Sequence, residues 1–308
     1  MHPATTSGPR VVAITGGARG IGLATARALH RAGARIAIGD IDAAGAERAA
    51  AMLGDGAVGS FLDVTDLGSF QGFLAIASQQ LGPIDVLDNN AGIMPIGPFL
   101  DETTDTARRQ LEINVLGCLN GMRAVLPDML SRGSGHIINT ASMAGKSPVP
   151  GALTYAASKA AVVSATETAR VEFAGGGVHF TCLMPFFTNT ELVTGTNGTR
   201  FIKNVEPEDV AEAIADVIER PRHDVYVPRN LAPLIRVQPL LGRRVRDALN
   251  HAFRADRTLL EIDERARAGY EMRIAAAPAQ RQLEPGDETE GEGQGQGARQ
   301  NIESKGVV

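Results

Sequence analysis

The sequence predicts an α/β protein with a single domain built on a doubly wound parallel sheet. Short apolar runs rich in β-branched residues alternate with helical patterns along most of the chain, which is typical of parallel strands covered by helices on both faces. A glycine-rich turn separates the first such run, Val11 to Ile14, from the first helical pattern. The length of 308 residues and a hydrophobic content of 44% suit one such domain with terminal extensions.

The glycine-rich turn after the first strand predicts a dinucleotide site. It reads Thr-Gly-Gly-Ala-Arg-Gly-Ile-Gly over residues 15–22, and strand, glycine turn and helix follow one another as in a Rossmann-like fold. Glycines let the backbone approach a pyrophosphate, whose charge the amides at the helix N-terminus stabilise. The spacing departs from G-x-G-x-x-G, and a plain tight turn is the alternative interpretation. The candidate cofactor-binding residues here are Gly16, Arg19, Gly20, Ile21 and Gly22.

The second strand favours NAD over NADP as the cofactor. It covers residues 34–39 and ends at Asp40, where a carboxylate can accept hydrogen bonds from the adenosine ribose and repels a 2′-phosphate. Arg19 and Arg35 could instead pair with a phosphate, which keeps NADP as the alternative. Asp42 is interpreted as a helix N-cap rather than as a second ribose ligand.

Tyr155 and Lys159 form a candidate proton-transfer pair. Residues four apart lie on one face of a helix, and a nearby cation lowers the pKa of a tyrosine from about 10. Ser142 follows the apolar strand at 136–140 and is expected near its C-terminal end, where open α/β sheets bind their ligands. We therefore expect Ser142 to hydrogen-bond a substrate hydroxyl or carbonyl. The neighbouring Thr140 and Ser147 are interpreted as structural.

With these motifs in order along the chain, the sequence resembles the short-chain dehydrogenase/reductase family. The resemblance rests on T-G-x-x-x-G-x-G at 15–22, N-N-A-G at 89–92 and Y-x-x-x-K at 155–159, and it extends over about residues 11–228. It implies a NAD(P)-dependent oxidoreductase that interconverts alcohols and ketones by tyrosine proton transfer and hydride transfer. It also implies a homodimer or homotetramer.

The resemblance implies roles for individual residues. In the family, an Asp-Val pair contacts adenine, the Asn-Ala-Gly run lies under the nicotinamide-side ribose, and the backbone carbonyl of an asparagine holds a water near the lysine. A helix cap is the alternative for the aspartate of the first pair, and Asn89 is expected to brace the sheet. The catalytic set is matched by Asn114, Ser142, Tyr155 and Lys159. The remaining cofactor-binding residues are matched by Asp63, Val64, Asn90, Ala91, Gly92, Tyr155, Lys159, Pro185 and Thr188.

The loop after the sixth strand departs from the family pattern. Relatives carry Pro-Gly there, whereas this chain has Phe186 in place of the glycine. The sequence therefore leaves the geometry of the cofactor loop undecided, and Phe186 and Phe187 could line the substrate pocket instead. The turn-rich segment at about 189–205 stands where the family has a mobile substrate loop, and a variable surface connection is the alternative.

The C-terminal part, residues 229–279, predicts a helical extension. A stripe of leucines there runs beside a cluster of arginines, and a basic amphipathic helix can dock on the protein body or on a second subunit, with weak peripheral membrane contact as the alternative. A further helix is expected from about Asp263 to Ala276. Residues 280–308, rich in Glu, Gly and Gln, are expected to be a disordered tail, and residues 1–9 a flexible N-terminus.

Charge and cysteine content narrow the function classes. A net charge of −5 without a basic block in the core argues against nucleic-acid binding. Cys118, Cys182 and the scattered histidines lack metal-ligand spacing, so no metal site is expected, and two unpaired thiols suit a reducing cytoplasm. The N-terminus lacks a signal-peptide pattern, and no run approaches the roughly 20 apolar residues of a transmembrane span.

Together these observations predict a NAD-dependent oxidoreductase acting on a small lipophilic secondary alcohol or ketone. An NADP-dependent carbonyl reductase of the same fold is one alternative. A binding protein that uses NAD occupancy as a signal is another, and the intact catalytic set argues against it because a sensor does not need Tyr155 or Ser142.

Overall fold

A seven-stranded parallel sheet forms the centre of the protein, whose computed structural model describes residues 8–196, 202–252 and 257–276. The strands are β1 Val11–Thr15, β2 Arg35–Asp40, β3 Ala57–Phe61, β4 Val86–Asn89, β5 Gly135–Thr140, β6 Val178–Pro185 and β7 Asp224–Val227. The helices are α1 Gly20–Arg31, α2 Ala43–Leu53, α3 Leu67–Leu81, α4 Thr104–Leu111, α5 Gly117–Arg132, α6 Leu153–Glu172, α7 Pro207–Glu219, α8 Ala232–Val237, α9 Arg243–Ala252 and α10 Glu264–Ala276. The strand order is β3-β2-β1-β4-β5-β6-β7, with all pairs parallel. The predicted fold class is confirmed.

The strand order reverses between β1 and β4, which are hydrogen-bonded neighbours at the centre of the sheet. In open α/β sheets, ligands bind in the crevice beyond the carboxyl ends of the strands at this switch point. The glycine-rich turn follows β1, and the run at 89–92 begins with the last residue of β4. Both motifs found in the sequence therefore meet at the crevice.

Two apolar clusters cover the two faces of the sheet. One contains Phe70, Met129 and Ile137 and is closed by α3, α5 and α6. The other contains Ile14 and Ile138 and is closed by α1, α2 and α7. Successive residues of a strand point to opposite faces, so the neighbouring isoleucines of β5 belong to different clusters. Burial on both faces explains why the strands read as continuous apolar runs.

Side-chain caps set where several helices begin. Asp42 accepts a hydrogen bond from the amide of Gly45 at 2.8 Å and caps α2, which confirms the predicted N-cap. Asp66 caps α3 in the same way through the amide of Ser69. Such a cap contributes about 1 kcal/mol. These caps fix the helices that follow β2 and β3, beside the crevice.

The C-terminal extension packs partly on the body. Leu231, Ala232 and Ile235, at the start of and within α8, pack against the first apolar cluster, and the Arg236 guanidinium lies 5.4 Å from the centre of the Tyr226 ring. The predicted docking on the body is thus confirmed for α8. The predicted helix from about Asp263 is confirmed as α10.

Some predictions fall on residues outside the described part of the chain. These are the disordered tail at 280–308, most of the flexible N-terminus, and residues 197–201 of the substrate loop. Across the ranges that are described, none of the helices has the length and apolarity needed to cross a membrane.

Candidate active site

The glycine turn is held against the end of β4 by close backbone contact. Gly16 and Gly20 adopt positive φ angles of 64° and 54°, a region that favours glycine. A Cβ atom at Gly22 would lie 2.5 Å from the carbonyl oxygen of Gly16, and one at Gly16 would lie 2.9 Å from the Cα of Ala91. The turn therefore requires glycine for packing as well as for conformation, and it leads directly into the N-terminus of α1.

Thr15 joins the two motifs of the crevice, and it was missed among the sequence-derived candidates. Its hydroxyl oxygen accepts hydrogen bonds from the amides of Asn90 and Ala91, both at 3.0 Å. The Asn90 side chain donates to the carbonyls of Thr15 at 2.9 Å and Gly16 at 3.2 Å. The signal was present, because this threonine opens the glycine motif. Ile21, also a candidate, packs against the second apolar cluster.

Asp40 lies buried at the end of β2 and faces the glycine turn. One carboxylate oxygen accepts a hydrogen bond from the amide of Ala18, and the other from the amide of Asp42, both at 3.0 Å. Arg19 lies 2.7 Å from the carboxylate of Asp42. Arg35 donates to the carbonyl of Leu81 instead. The two acidic groups are therefore close to the turn, and Arg19 is already paired with one of them.

Asp63 and Val64 lie in the turn after β3, next to Asp40 in the sheet. Asp63 accepts hydrogen bonds from the amide and the hydroxyl of Thr65, at 2.9 and 2.7 Å. The helix cap at this place is Asp66, so the alternative interpretation of Asp63 as the cap is wrong. Val64 is buried, and its carbonyl accepts a hydrogen bond from Asn120 at 3.0 Å.

Helix α6 places Tyr155 and Lys159 on one buried face, 8% and 4% exposed. The Ser142 hydroxyl, just beyond β5, lies near enough to the Tyr155 phenol to influence its pKa. The Lys159 ammonium donates to the carbonyl of Thr140 at 2.7 Å, and it lies 5.7 Å from the centre of the Tyr155 ring. The structure thus brings together Ser142, Tyr155 and Lys159 at the carboxyl end of β5.

The electrostatics of this group correct one prediction. Burial raises the pKa of Tyr155 to about 12, while the nearby Ser142 hydroxyl acts in the opposite direction. Burial also lowers the pKa of Lys159 to about 8. The predicted lowering of the tyrosine pKa by Lys159 is wrong, because burial disfavours the phenolate and the ammonium is directed at Thr140. Tyr155 is therefore a protonated phenol at neutral pH.

Asn114 lies in a π-helical turn, Glu112–Leu116, between α4 and α5. Its side chain accepts a hydrogen bond from the Ile93 amide at 2.9 Å and donates to the Ile93 carbonyl and the Ser158 hydroxyl, both at 3.0 Å. Single π-helical turns occur often at functional sites. Ser158 in turn donates to the carbonyl of Tyr155 at 2.7 Å, so Asn114 links the run after β4 to the start of α6.

Gly92 leaves space beside Asn114 and Lys159. A Cβ atom there would lie 3.1 Å from the Asn114 Oδ1 and 3.4 Å from the Lys159 Nζ. Asn89 donates to the side chain of Asn139 at 2.8 Å, which confirms its predicted bracing role. The space left beside Gly92 is therefore bordered by the lysine ammonium and by the crevice.

The two phenylalanines after β6 touch edge to face, with ring centres 5.1 Å apart, but they pack in different places. Phe186 packs against both main apolar clusters, whereas Phe187 packs beside Tyr155. Of the two phenylalanines expected to line the substrate pocket, only Phe187 therefore lies beside Tyr155. Pro185 accepts a hydrogen bond from Ser142 at 3.5 Å. Thr188 is buried, and its hydroxyl donates to the carbonyl of Phe186 at 3.0 Å.

Thr190 reaches the glycine turn and was not among the candidates. Its Cγ2 would lie 3.4 Å from a Cβ atom at Gly20. The loop after β6 thus closes over the start of α1. The sequence offered no local signal that separates Thr190 from Thr188.

An apolar cluster surrounds Tyr155. We call it the Tyr155 cluster; its buried members are Met94, Ala152, Tyr155 and Leu259, and its partly buried members are Ile96, Ala144, Val149, Phe187, Leu192 and Val193. Apart from Tyr155, whose phenol can ionise, no member of the cluster has an ionisable side chain. Hydrophobic side chains therefore border the phenol, and Tyr270 is near enough to raise its pKa further.

Known proteins resemble this chain in sequence and in fold. Residues 10–200 match the short chain dehydrogenase family model. Galactitol 2-dehydrogenase of Agrobacterium fabrum is 39% identical over 177 residues, covering 57% of this chain and 69% of that protein. Glycine betaine reductase ATRR of Emericella nidulans is 34% identical over 227 residues, covering 70% of this chain and only 18% of that protein.

A solved structure shares the architecture. The complex of a short chain dehydrogenase/reductase from Burkholderia phymatum with NAD aligns with a TM-score of 0.70 and 26% identity, and the alignment covers 77% of this chain and 95% of that one.

Proposed function

Because the chain belongs to the short-chain dehydrogenase/reductase family, whose members are oxidoreductases that bind a nicotinamide cofactor, we propose that it interconverts an apolar secondary alcohol and a ketone with NAD. One observation carries the proposal. The Tyr155 phenol lies beside Ser142 and Lys159 at the carboxyl end of β5, with the Lys159 ammonium 5.7 Å from its ring centre and hydrophobic side chains around it.

The residues at the crevice fit a nicotinamide dinucleotide. The glycine turn and the N-terminus of α1 suit a pyrophosphate, because backbone amides there are free of bulky side chains. Asp40 suits the adenosine ribose, and the space that a Cβ at Gly92 would fill suits the other ribose, next to the Lys159 ammonium. When bound, this cofactor supplies or accepts a hydride.

In ketone reduction, the side chains of this chain handle the oxygen atom. Ser142 donates a hydrogen bond to the carbonyl oxygen, and Tyr155 transfers its phenolic proton to that oxygen as the carbon gains a hydride. The phenol is protonated at neutral pH, as this direction requires. In alcohol oxidation the same proton returns to Tyr155, with the Lys159 ammonium 5.7 Å from the ring centre. Asn114 is a positioning residue through Ser158.

The preference for NAD rests on charge. Asp40 and Asp42 both lie beside the glycine turn, and Arg19 is already paired with Asp42 at 2.7 Å. Arg35 is turned to Leu81 and does not offer a phosphate contact. A 2′-phosphate here would meet two carboxylates, which is unfavourable. The solved relative from Burkholderia phymatum binds NAD, which agrees with this proposal.

The preference for an apolar substrate rests on the Tyr155 cluster. Its aliphatic and aromatic members would desolvate a polyol without hydrogen-bond partners, at a penalty of about 1–3 kcal/mol for each hydroxyl. We therefore propose that, unlike the galactitol dehydrogenase, this enzyme acts on alkyl, terpenoid or steroid alcohols and ketones.

We further propose a homodimer or homotetramer in the cytoplasm. Leu111, Leu116 and Leu153, on and around α4 to α6, are 42%, 46% and 55% exposed, and a second copy would cover them. Both cysteines are unpaired, which suits a reducing compartment. Light scattering of the purified protein tests the assembly.

The proposed reaction is tested by cofactor absorbance with NADH or NADPH and ketones from 2-butanone to 2-decanone, followed by terpenoid and steroid ketones. We expect turnover with NADH, a loss of about 10²- to 10⁴-fold in Tyr155→Phe, and near wild-type turnover in the control Tyr226→Phe, which removes a hydroxyl in β7. Equal rates for Tyr155→Phe and wild type would refute the mechanism. Tighter binding of NADPH than NADH would refute the cofactor assignment.

A further inference from the structure

Residues 257–276, which we call the roof segment, lie over the catalytic tyrosine. Leu259 is 1% exposed and belongs to the Tyr155 cluster. A Cβ atom placed at Gly151, the residue before Ala152 of the cluster, would lie 3.1 Å from the Cβ of Leu259. The roof segment therefore contacts the entry to α6, four residues before Tyr155.

Arg267 attaches the roof segment to two loops beside the site. It is fully buried, and its guanidinium donates to the carbonyls of Leu192 at 2.8 Å and Thr194 at 3.2 Å, and to the carbonyl of Met94. Met94 follows β4, and the other two residues lie in the loop after β6. A planar guanidinium with five donors can bridge carbonyls from separate loops, which a lysine ammonium cannot do with the same geometry.

Tyr270 makes a second attachment at the same place. Its hydroxyl accepts a hydrogen bond from the Met94 amide at 2.8 Å, and its ring lies 4.7 Å and 5.5 Å from the guanidinium carbons of Arg267 and Arg273. Arg273 donates to Glu191, also in the loop after β6, at 3.0 Å. The roof segment thus holds together both loops that border the Tyr155 cluster.

We propose that the roof segment is part of the substrate site, that Leu259 is a specificity-determining residue for the apolar part of the substrate, and that Arg267 is a positioning residue that keeps both loops around Tyr155. Contacts of this segment reach three other parts of the Tyr155 cluster: the loop after β4, the loop after β6 and the residue before Ala152. The specificity of Leu259 rests on the proposed function, whereas the covering of Tyr155 by the roof segment does not.

The covering is tested by chemical labelling, because the chain has only three tyrosines, Tyr155, Tyr226 and Tyr270. The full-length protein is treated with N-acetylimidazole, and acetylation of each tyrosine is followed by mass spectrometry. In Arg267→Gln we expect Tyr155 and Tyr270 to react on the order of tenfold faster, as loss of a charged hydrogen-bond network favours local opening. Tyr226 in β7 should react at the wild-type rate. The control Arg265→Gln removes an exposed arginine of the same helix.

Each labelling outcome decides the matter. Faster labelling of Tyr155 and Tyr270, without faster labelling of Tyr226, supports the proposal that the roof segment covers Tyr155. Unchanged labelling of Tyr155 in Arg267→Gln overturns it, and so does a parallel increase at Tyr226, since the segment would then be part of the general core. Leu259→Ala should also raise Tyr155 labelling, whereas Leu260→Ala, which truncates a neighbouring leucine that is 41% exposed, should not.

Specificity is tested with NADH and the series 2-butanone to 2-decanone. Leu259→Ala enlarges the site, so the ratio of kcat/KM for long over short ketones should rise on the order of tenfold, with the dissociation constant of NADH unchanged. Leu260→Ala should keep the wild-type ratio. An unchanged ratio in Leu259→Ala overturns the role of Leu259. If the wild type reduces no ketone, the proposed function fails, while the labelling result still decides whether the roof segment covers Tyr155.

Discussion

Asp88 is expected to destabilise the protein at neutral pH. It lies at the centre of β4, fully buried, with Ile14 and Ile138 as its register partners on the neighbouring strands. One carboxyl oxygen is 3.5 Å from the Thr140 hydroxyl, and the other has no hydrogen-bond partner within the described structure. Burial raises the pKa of Asp88 from 3.8 to about 7.

The sign of the effect follows from the proton balance. Between about pH 4 and pH 7 the unfolded chain releases the proton and the folded protein keeps it, so stability falls as the pH rises through this range and is lowest above it. Since a tenfold change in proton affinity corresponds to about 1.4 kcal/mol, the difference between the two pKa values amounts to about 4 kcal/mol.

The perturbation is Asp88→Asn, which removes the charge and keeps an oxygen for the Thr140 hydroxyl. The wild-type curve alone does not isolate Asp88, because burial lowers the pKa of His136 to about 3, and a buried neutral histidine weakens the fold as the pH falls below about 6.5. The difference in free energy of unfolding between Asp88→Asn and the wild type isolates the contribution of Asp88. We expect the free energy of unfolding at pH 8 to rise by about 2–3 kcal/mol, because the unpaired amide offsets about 1–2 kcal/mol of the full effect.

The assay is urea unfolding followed by circular dichroism at pH 5 and pH 8, since the chain has no tryptophan. The gain should be largest at pH 8 and smaller at pH 5, where the wild-type carboxyl is protonated. Asp105→Asn, at a side chain 90% exposed, serves as the control and should show no such dependence. A gain of the same size at both pH values would refute the reasoning.

Three further outcomes are expected. Gly22→Ala should weaken NADH binding by more than about tenfold in fluorescence titrations, because its Cβ would lie 2.5 Å from the Gly16 carbonyl oxygen; Gly72→Ala, in open space on α3, should bind normally. Asp40→Ala should bring the dissociation constants of NADH and NADPH closer together, and an unchanged ratio would speak against its role. Thr15→Val should lower the free energy of unfolding by about 1–3 kcal/mol in urea titrations, because it leaves two amides without an acceptor.

The sequence was sufficient where the determining interactions are local. The glycine turn, the N-cap at Asp42 and the common face of Tyr155 and Lys159 depend on residues within a few positions of one another. The sheet followed from apolar runs that alternate with helical patterns, because strands buried on both faces must be apolar throughout. Such patterns also placed the crevice, since the glycine turn follows the first strand and a parallel strand exposes its carboxyl end there.

The sequence was insufficient where burial decides the chemistry. A lysine four residues after a tyrosine predicts a lowered phenol pKa, but the contribution of burial is larger and of opposite sign. The direction in which the Lys159 ammonium points depends on the Thr140 carbonyl of β5, which is nineteen positions away. Neither quantity can be read from the spacing of the motif.

The same limit explains why α10 was recognised as a helix but not as part of the site. Its sequence carries charged residues around the helix, a pattern that by itself is typical of a solvated surface. Yet Arg267 is fully buried, because the carbonyls it meets belong to loops at Met94 and Leu192, more than seventy positions earlier in the chain. A buried charge needs such partners to offset its desolvation. The burial of Arg267 therefore follows from these two loops, and α10 and the loops depend on one another for their positions.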